Sequence, residues 1–287
     1  MNFYIVIPAH NEAEVIGLTL ESLSNQRLLP KQVVIVNDNS TDDTGAVVES
    51  FMKENPWISL VNSTSSNEHL PGSKIINAFY KGLEILDDDY DVICKFDADL
   101  IFPENYLEQL AIHFKENKHL GMVSGFCYIE KDGTWVLENL TRKDHIRGGL
   151  KAYRKKCFRD IGKLKRSMGW DTVDELLAKY HGWNIQTDET LHVKHLKPTG
   201  QSYSKASKYL QGEAMYKMRY GLVITFISGL KLAYRKGQMG LMVDYIAGYF
   251  RAKKVRAEFL VSENEGKFIR KLRWKGMLGK LNFLRVF

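Results

Sequence analysis

The first 120 residues switch hydrophobic period repeatedly, and this alternation restricts the fold more than any other feature of the chain. FYIVIPA (3–9) is a short apolar run. EAEVIGLTLESLSNQ follows, with Val15, Ile16, Leu18, Leu20 and Leu23 at helical spacing. KQVVIVNDNSTDDT with GAVVESFMKEN, then ISLVNS with SKIINAFYKGLEIL, repeat the pair, and DVICKFDADL opens a fourth. Parallel strands need helical crossovers, so this order predicts an α/β fold on a mostly parallel central sheet flanked by helices.

Further along, residues 121–137 read as strand with a hairpin turn at Lys131-Asp132-Gly133. LKAYRKKCFRDIG and VDELLAKYHGW are expected to be helices, and NIQTDETLHVKHLKP a strand stopped by Pro198. After about residue 204 the chain turns helical, basic and amphipathic. We therefore expect a catalytic domain over 1–203 and a helical basic extension over 204–287.

Polar residues collect where the predicted strands end: His10-Asn11-Glu12, Asp38-Asn39-Ser40 and Asp97-Ala98-Asp99. Ligands of such sheets sit beyond the carboxyl ends of the strands, so three polar ends on one edge predict a site. In extended chain, carboxylates at i and i+2 point the same way, and small Ala98 leaves the backbone between them accessible. Mg²⁺ and Mn²⁺ take hard oxygen ligands, commonly one or two carboxylates together with the phosphates of a nucleotide. Taken singly, each motif is equally a helix start or a polar turn, with Asn11 or Asp38 as an N-cap.

Together, IVIPAHNE, VVIVNDNSTDDT and FDADLIFPENYLEQL resemble the family 2 glycosyltransferases, whose nucleotide-sugar-binding domain has the GT-A fold; the likeness runs over roughly residues 3–200. The resemblance implies an inverting, metal-dependent sugar transfer from a nucleotide-diphosphate donor, with UDP the family's commonest nucleotide. It implies that Pro8, Ala9, Glu12 and Asp38 meet the nucleoside and that Asp97 and Asp99 hold Mn²⁺ or Mg²⁺ and the diphosphate. Gly72 and Lys74 match the family's glycine-and-basic segment near the nucleotide. His195, in HLKPTG, matches a histidine that reaches the metal, and His145-Ile146-Arg147-Gly148-Gly149 resembles the acceptor-side stretch.

The family's general base is the Asp of a Glu-Asp pair opening a helix that ends in Gly-aromatic. In GWDTVDELLAKYHGW, counting back from Gly182-Trp183 puts Asp171 there, with Trp170 in place of the preceding acid. Asp174-Glu175 restores an acidic pair three residues on, so a register slip would make Asp174 the base. Either residue also serves simply as a favourable acid in a first helical turn. Trp135, Trp170 and Trp183 suit stacking on sugars or core packing equally.

Charge locates the expected partners. The net charge is +7, and Lys267 to Phe287 carries seven Lys or Arg and no acid, a tail suited to an anionic membrane surface. A nucleic-acid reader would place basic and aromatic residues on the sheet instead. The best candidate span, Tyr220 to Leu232, stops at Lys231 and Arg235 and falls short of the roughly 20 residues needed to span a bilayer. Three widely spaced cysteines and no signal-peptide pattern fit a cytoplasmic protein, peripheral on the inner face of the cell membrane. The expected acceptor is a lipid-linked sugar or polysaccharide. The rival enzyme class, a nucleotidyltransferase, normally carries a basic phosphate loop after its first strand, and PAHNEAEVIG holds no Lys or Arg. A third reading is a non-catalytic membrane-binding protein on a transferase scaffold.

Overall fold

Strand β1 (Phe3–Ala9) alternates between two buried faces, so it forms where a continuous apolar run can be covered on both sides. The structure, a computed structural model, describes residues 1–64, 72–138, 145–197 and 208–284, with side chains to 279 in the last segment. The elements that follow are α1 (Ile16–Ser24), β2 (Gln32–Asp38), α2 (Thr44–Met52), β3 (Ile58–Ser63), α3 (Ser73–Glu84) and β4 (Val92–Phe96). Next come the two-residue β5 (Leu100–Ile101), α4 (Tyr106–Glu116), β6 (Leu120–Lys131), β7 (Thr134–Leu137), β8 (Leu150–Arg154) and α5 (Lys155–Asp160). The rest are α6 (Trp170–Tyr180), β9 (Asn184–His195), α7 (Leu210–Lys217), α8 (Leu222–Lys236), α9 (Gly240–Lys254) and α10 (Glu263–Leu284).

One nine-stranded sheet runs β3-β2-β1-β4-β8-β6-β9-β5, with β7 paired to β6. The segment β3-β2-β1-β4 is wholly parallel, as expected from the strand–helix alternation. Phe3, Ile5 and Ile7 join Leu20 and Leu23 of α1 and Phe114 of α4 in the main core. On the opposite face α3 packs on β1 and β2, and a Cβ at Gly82 would stand 2.9 Å from Val36.

The chain divides into two units. One comprises Met1–Arg166 with His181–Gln201, and the other Ser167–Tyr180 with Ser202–Phe287. The first holds the whole sheet. The second consists of α6 and α7 to α10.

One local expectation is corrected. Leu150–Arg154, read as the start of a helix, is a strand, because it lies antiparallel between β4 and β6 with Leu150 to Tyr153 buried. Helix-favouring Lys, Ala and Arg are overruled there by sheet pairing. The tail, expected to be helical, forms the 22-residue α10 despite Gly276 and Gly279 within it. Its first turns are held by Arg270 donating to the Arg219 carbonyl at 2.6 Å, Arg273 to Tyr220 Oη at 2.7 Å, and Phe268 packing edge-on against Tyr180.

Candidate active site

The Asp97-Ala98-Asp99 turn and the residues just after it are anchored by three polar side chains, Thr19 and Ser22 on α1 and Gln26 just past its C-terminal end. The Thr19 hydroxyl donates to the Ala98 carbonyl at 2.7 Å and accepts from Leu100 N–H at 3.0 Å. Ser22 Oγ accepts from Phe102 N–H at 3.1 Å. Gln26 donates to the Pro103 carbonyl at 2.8 Å and accepts from Leu107 N–H at 3.0 Å. Thr19, Ser22 and Gln26 are all buried. Thr19 and Ser22, three apart on α1, share one helix face, and Gln26 carries the row just beyond the helix end.

His195 reaches this turn through the short β5–β9 ladder, in which Leu100 pairs with His195 and Leu196 N–H donates to the Asp99 carbonyl at 2.9 Å. The buried imidazole lies between two carboxylates. Its Nε2 is 3.3 Å from Asp99 Oδ2 and its Nδ1 is 2.9 Å from Glu138 Oε2. Burial works against the imidazolium, but hydrogen bonds and charge from Asp99 and Glu138 raise its pKa to about 9. Glu138 also pairs with Arg147. His192, three residues away, is exposed and stacks on Tyr128 with ring centres 4.2 Å apart.

Asp97 is held differently. Its carboxylate pairs with the buried Lys95 two residues earlier on β4, and its N–H donates to the Gly149 carbonyl at 3.1 Å. Gly149 approaches so closely that a Cβ there would overlap the Asp97 carboxylate. Burial pushes the Asp97 carboxyl up, but Lys95, His195 and Arg147 together bring it below its ordinary value. Glu12 shifts upward, chiefly through burial and further through the charges of Asp99 and Asp97; Lys197, 2.6 Å away, opposes the shift.

Two strand-end loops are bound together beside it. Asn11 N–H donates to Ser40 Oγ at 3.0 Å and Asn11 Oδ1 accepts from Thr41 N–H at 2.8 Å. Glu12 N–H donates to the Thr44 hydroxyl at 2.8 Å, and His10 Nδ1 lies 2.6 Å from the Asp38 carbonyl. Pro8 and Ala9 end β1, and Asp38 ends β2. Gly72 and Lys74 stand at the start of α3, which joins parallel β3 to β4 and therefore begins at the same edge of the sheet. Asp171 and Asp174 lie on α6, in the second unit, with Asp171 half-buried and Asp174 and Glu175 buried.

Thus Glu12, Asp97, Asp99 and His195 come together at the carboxyl edge of the parallel strands. Sequence reasoning missed Glu138, which follows β7 with no spacing signal, and Lys95. A charged residue inside VICKF, one strand period before Asp97, is the signal that could have found Lys95. Trp183 donates to Asp160 at 3.0 Å, the Lys194 ammonium lies 5.1 Å from the centre of the Trp135 ring, and Trp170 is buried.

The donor set fits a hard divalent ion. Asp99 and His195 converge with an oxygen and a nitrogen, and a second carboxylate, Asp97, is adjacent. A thiol-containing set also exists: donor atoms of Cys127, Glu138 and His195 lie within 4.8 Å of one another. In that set burial pushes the Cys127 thiol up to about 12, and Glu138 is engaged by Arg147 and His195.

A parallel sheet continued by mixed strands, with a DxD turn on its carboxyl edge, is the GT-A architecture. Its likeness to solved transferases is direct. Staphylococcus aureus TarS bound to UDP-GlcNAc gives a TM-score of 0.57 at 22% identity, over 76% of this chain and 65% of that one. The mannosyltransferase PcManGT from Pyrobaculum calidifontis, with GDP-Man and Mn²⁺, gives 0.55 at 14% identity, over 100% of this chain and 81% of that one. The glycosyl transferase family 2 model matches residues 4–167, more than half of the chain, and the protein belongs to that family.

Among relatives, a probable glycosyltransferase of Bacillus subtilis, YdaM, is 33% identical over 135 residues, 46% of this chain and 28% of YdaM. The poly-beta-1,6-N-acetyl-D-glucosamine synthase of Staphylococcus epidermidis is 26% identical over 120 residues, 42% of this chain and 27% of the synthase. The GalNAc(5)-diNAcBac-PP-undecaprenol beta-1,3-glucosyltransferase of Campylobacter jejuni is 24% identical over 132 residues, 45% of this chain and 39% of that enzyme. The alignments thus span well under half the length of these three relatives.

Proposed function

We propose that this protein is an inverting glycosyltransferase that moves a sugar from a nucleotide-diphosphate donor, with UDP as the default nucleotide, to a lipid-linked or polysaccharide acceptor. The observation that carries this reading is the convergence of Asp99 and His195, with Asp97 and Glu12 beside them, at the carboxyl edge of the parallel strands. In this reading Pro8, Ala9, Glu12, Asp38, Gly72 and Lys74 form the nucleotide side, and Asp97 meets the donor diphosphate. A Mn²⁺ or Mg²⁺ ion held by Asp97, Asp99 and His195 would supply positive charge for a leaving diphosphate. Glu138 holds the His195 ring, and Thr19 holds the turn. Asp171 takes the proton from the acceptor hydroxyl as its oxygen bonds to the anomeric carbon and the bond to the diphosphate oxygen breaks on the opposite face. Asp174 is the alternative base. The polysaccharide in the name of the Staphylococcus epidermidis synthase and the lipid-linked sugar in the name of the Campylobacter jejuni enzyme support the acceptor class.

The place of action is the cytoplasmic membrane face, where the basic C-terminal region meets anionic lipid. No helix is long and apolar enough to cross a membrane among the described residues. Thermal shift with Mn²⁺ and UDP, GDP, dTDP, CMP or ADP tests the donor site on wild type and Asp99→Ala. A melting temperature raised by one nucleotide, dependent on metal and absent in the variant, is the expected result. No rise with any nucleotide would overturn the reading.

A further inference from the structure

Helices α8 and α9 form a hairpin whose buried side, apart from Ile224, is made of small or polar residues and whose outer side is apolar. Ile224, Thr225, Gly229 and Ala233 of α8, and Asp244, Gly248 and Ala252 of α9, are the buried positions. Gly229 lets α8 approach α9, where a Cβ would stand 3.1 Å from Tyr245 Cβ. Gly248 and Gly212 bring α9 onto the α7 segment so tightly that a Cβ at either would strike backbone carbonyls. That side is therefore closed.

On the other side, Leu222, Phe226 and Leu230 recur every four residues along α8 and are each at least 40% exposed; Val223 and Val243 are 59% and 60% exposed. Leu222, Val223, Phe226, Val243, Ile246 and Phe250 line a groove of about 610 Å³ with only apolar side chains. A contiguous apolar surface of this kind on one helical hairpin marks a binding face.

Charge identifies the occupant. From Leu222 to Arg256 there are seven Lys or Arg and one acid, Asp244. That acid is buried and lies 3.3 Å from Lys208. Lys231, Arg235 and Lys236 end α8, while Arg251, Lys253 and Lys254 end α9, so exposed cations flank both ends of the groove. A second copy docked symmetrically would bring those cations together. A bilayer rich in anionic headgroups meets them with opposite charge and accepts the apolar residues among its acyl chains. We propose that the α8–α9 hairpin seats this protein on an anionic membrane, with Leu222, Val223, Phe226, Val243 and Phe250 as the inserted residues. This deepens the membrane-face reading above by naming the surface, which differs from the basic tail.

The test is flotation of the full chain with phosphatidylcholine vesicles, with and without phosphatidylglycerol. It compares wild type with a Val223→Gln, Phe226→Gln, Val243→Gln, Phe250→Gln variant. All four positions are exposed, so an unchanged melting temperature is expected and is checked. Wild type should float with the phosphatidylglycerol vesicles far more than with the neutral ones. Binding should fall but persist at about 0.5 M salt, where screening shortens to about 4 Å. The variant should bind roughly tenfold more weakly or less. Equal flotation of the folded variant, or no flotation of wild type, would overturn the proposal. So would light scattering that shows a wild-type dimer and a monomeric variant, since a second copy would then cover the groove. The Mn²⁺–nucleotide thermal shift, measured on the same samples, tests the transferase reading separately: it can survive the loss of flotation, and flotation can survive its loss.

Discussion

His195 should make the metal-free protein markedly more stable at pH 6 than at pH 9.5. Its pKa rises from the ordinary 6.5 to about 9 because the imidazolium sits between Asp99 and Glu138. A raised pKa means that the folded state binds the proton more tightly than the unfolded state. The contribution is therefore complete below about pH 6.5 and is lost as pH climbs through about 9. A shift of this size corresponds to about 3 kcal/mol. Urea unfolding in the presence of a chelator, at both pH values, would be run on wild type and His195→Gln. The variant cancels the lysine, tyrosine and cysteine titrations that also fall in this window. Wild type should lose about 3 kcal/mol more than the variant. The same proton competes for Nε2, so Mn²⁺ affinity followed by electron paramagnetic resonance should rise about tenfold per pH unit and level off near pH 9. Equal stability losses in the two proteins, together with a pH-independent affinity, would refute the reasoning.

Three further outcomes follow from the same geometry. Glu138→Gln should weaken Mn²⁺ binding by about 10- to 100-fold in calorimetry while the fold persists, because the residue that fixes the His195 ring loses its charge. Thr19→Val should lower stability by roughly 1–3 kcal/mol in urea unfolding, since the Ala98 carbonyl and Leu100 N–H both lose a buried partner. Asp171→Asn should cut turnover by about 10²- to 10⁴-fold with the nucleotide thermal shift intact; unchanged turnover would transfer the base role to Asp174.

Local signals made the parallel half of the sheet readable. FYIVIPA and ISLVNS coincide with β1 and β3, and the Asp132-Gly133 turn joins β6 to β7, because apolar runs and turn residues act within a few positions. The DxD turn was likewise visible from its spacing. What escaped depended on distant partners. LKAYR has a helix-compatible composition and becomes a strand only because β4 and β6 leave a place between them. Glu138 has no periodic neighbour and matters only once β9 carries His195 to it. Lys95 violates an apolar strand pattern, and its role becomes plain when Asp97 is seen beside it.

The β5–β9 ladder joins Leu100 to His195, nearly a hundred positions apart along the chain, through only two residue pairs. Such a contact carries a large loop-closure entropy and gains little until neighbouring strands are in place. During synthesis the two aspartates therefore emerge long before their imidazole. A segment ending at residue 167, where the family match stops, would carry the acidic turn without its histidine. On the proposed metal site, competence for a divalent ion would in this sense be a late event of folding, and capture of the ion would report that the last strand has closed.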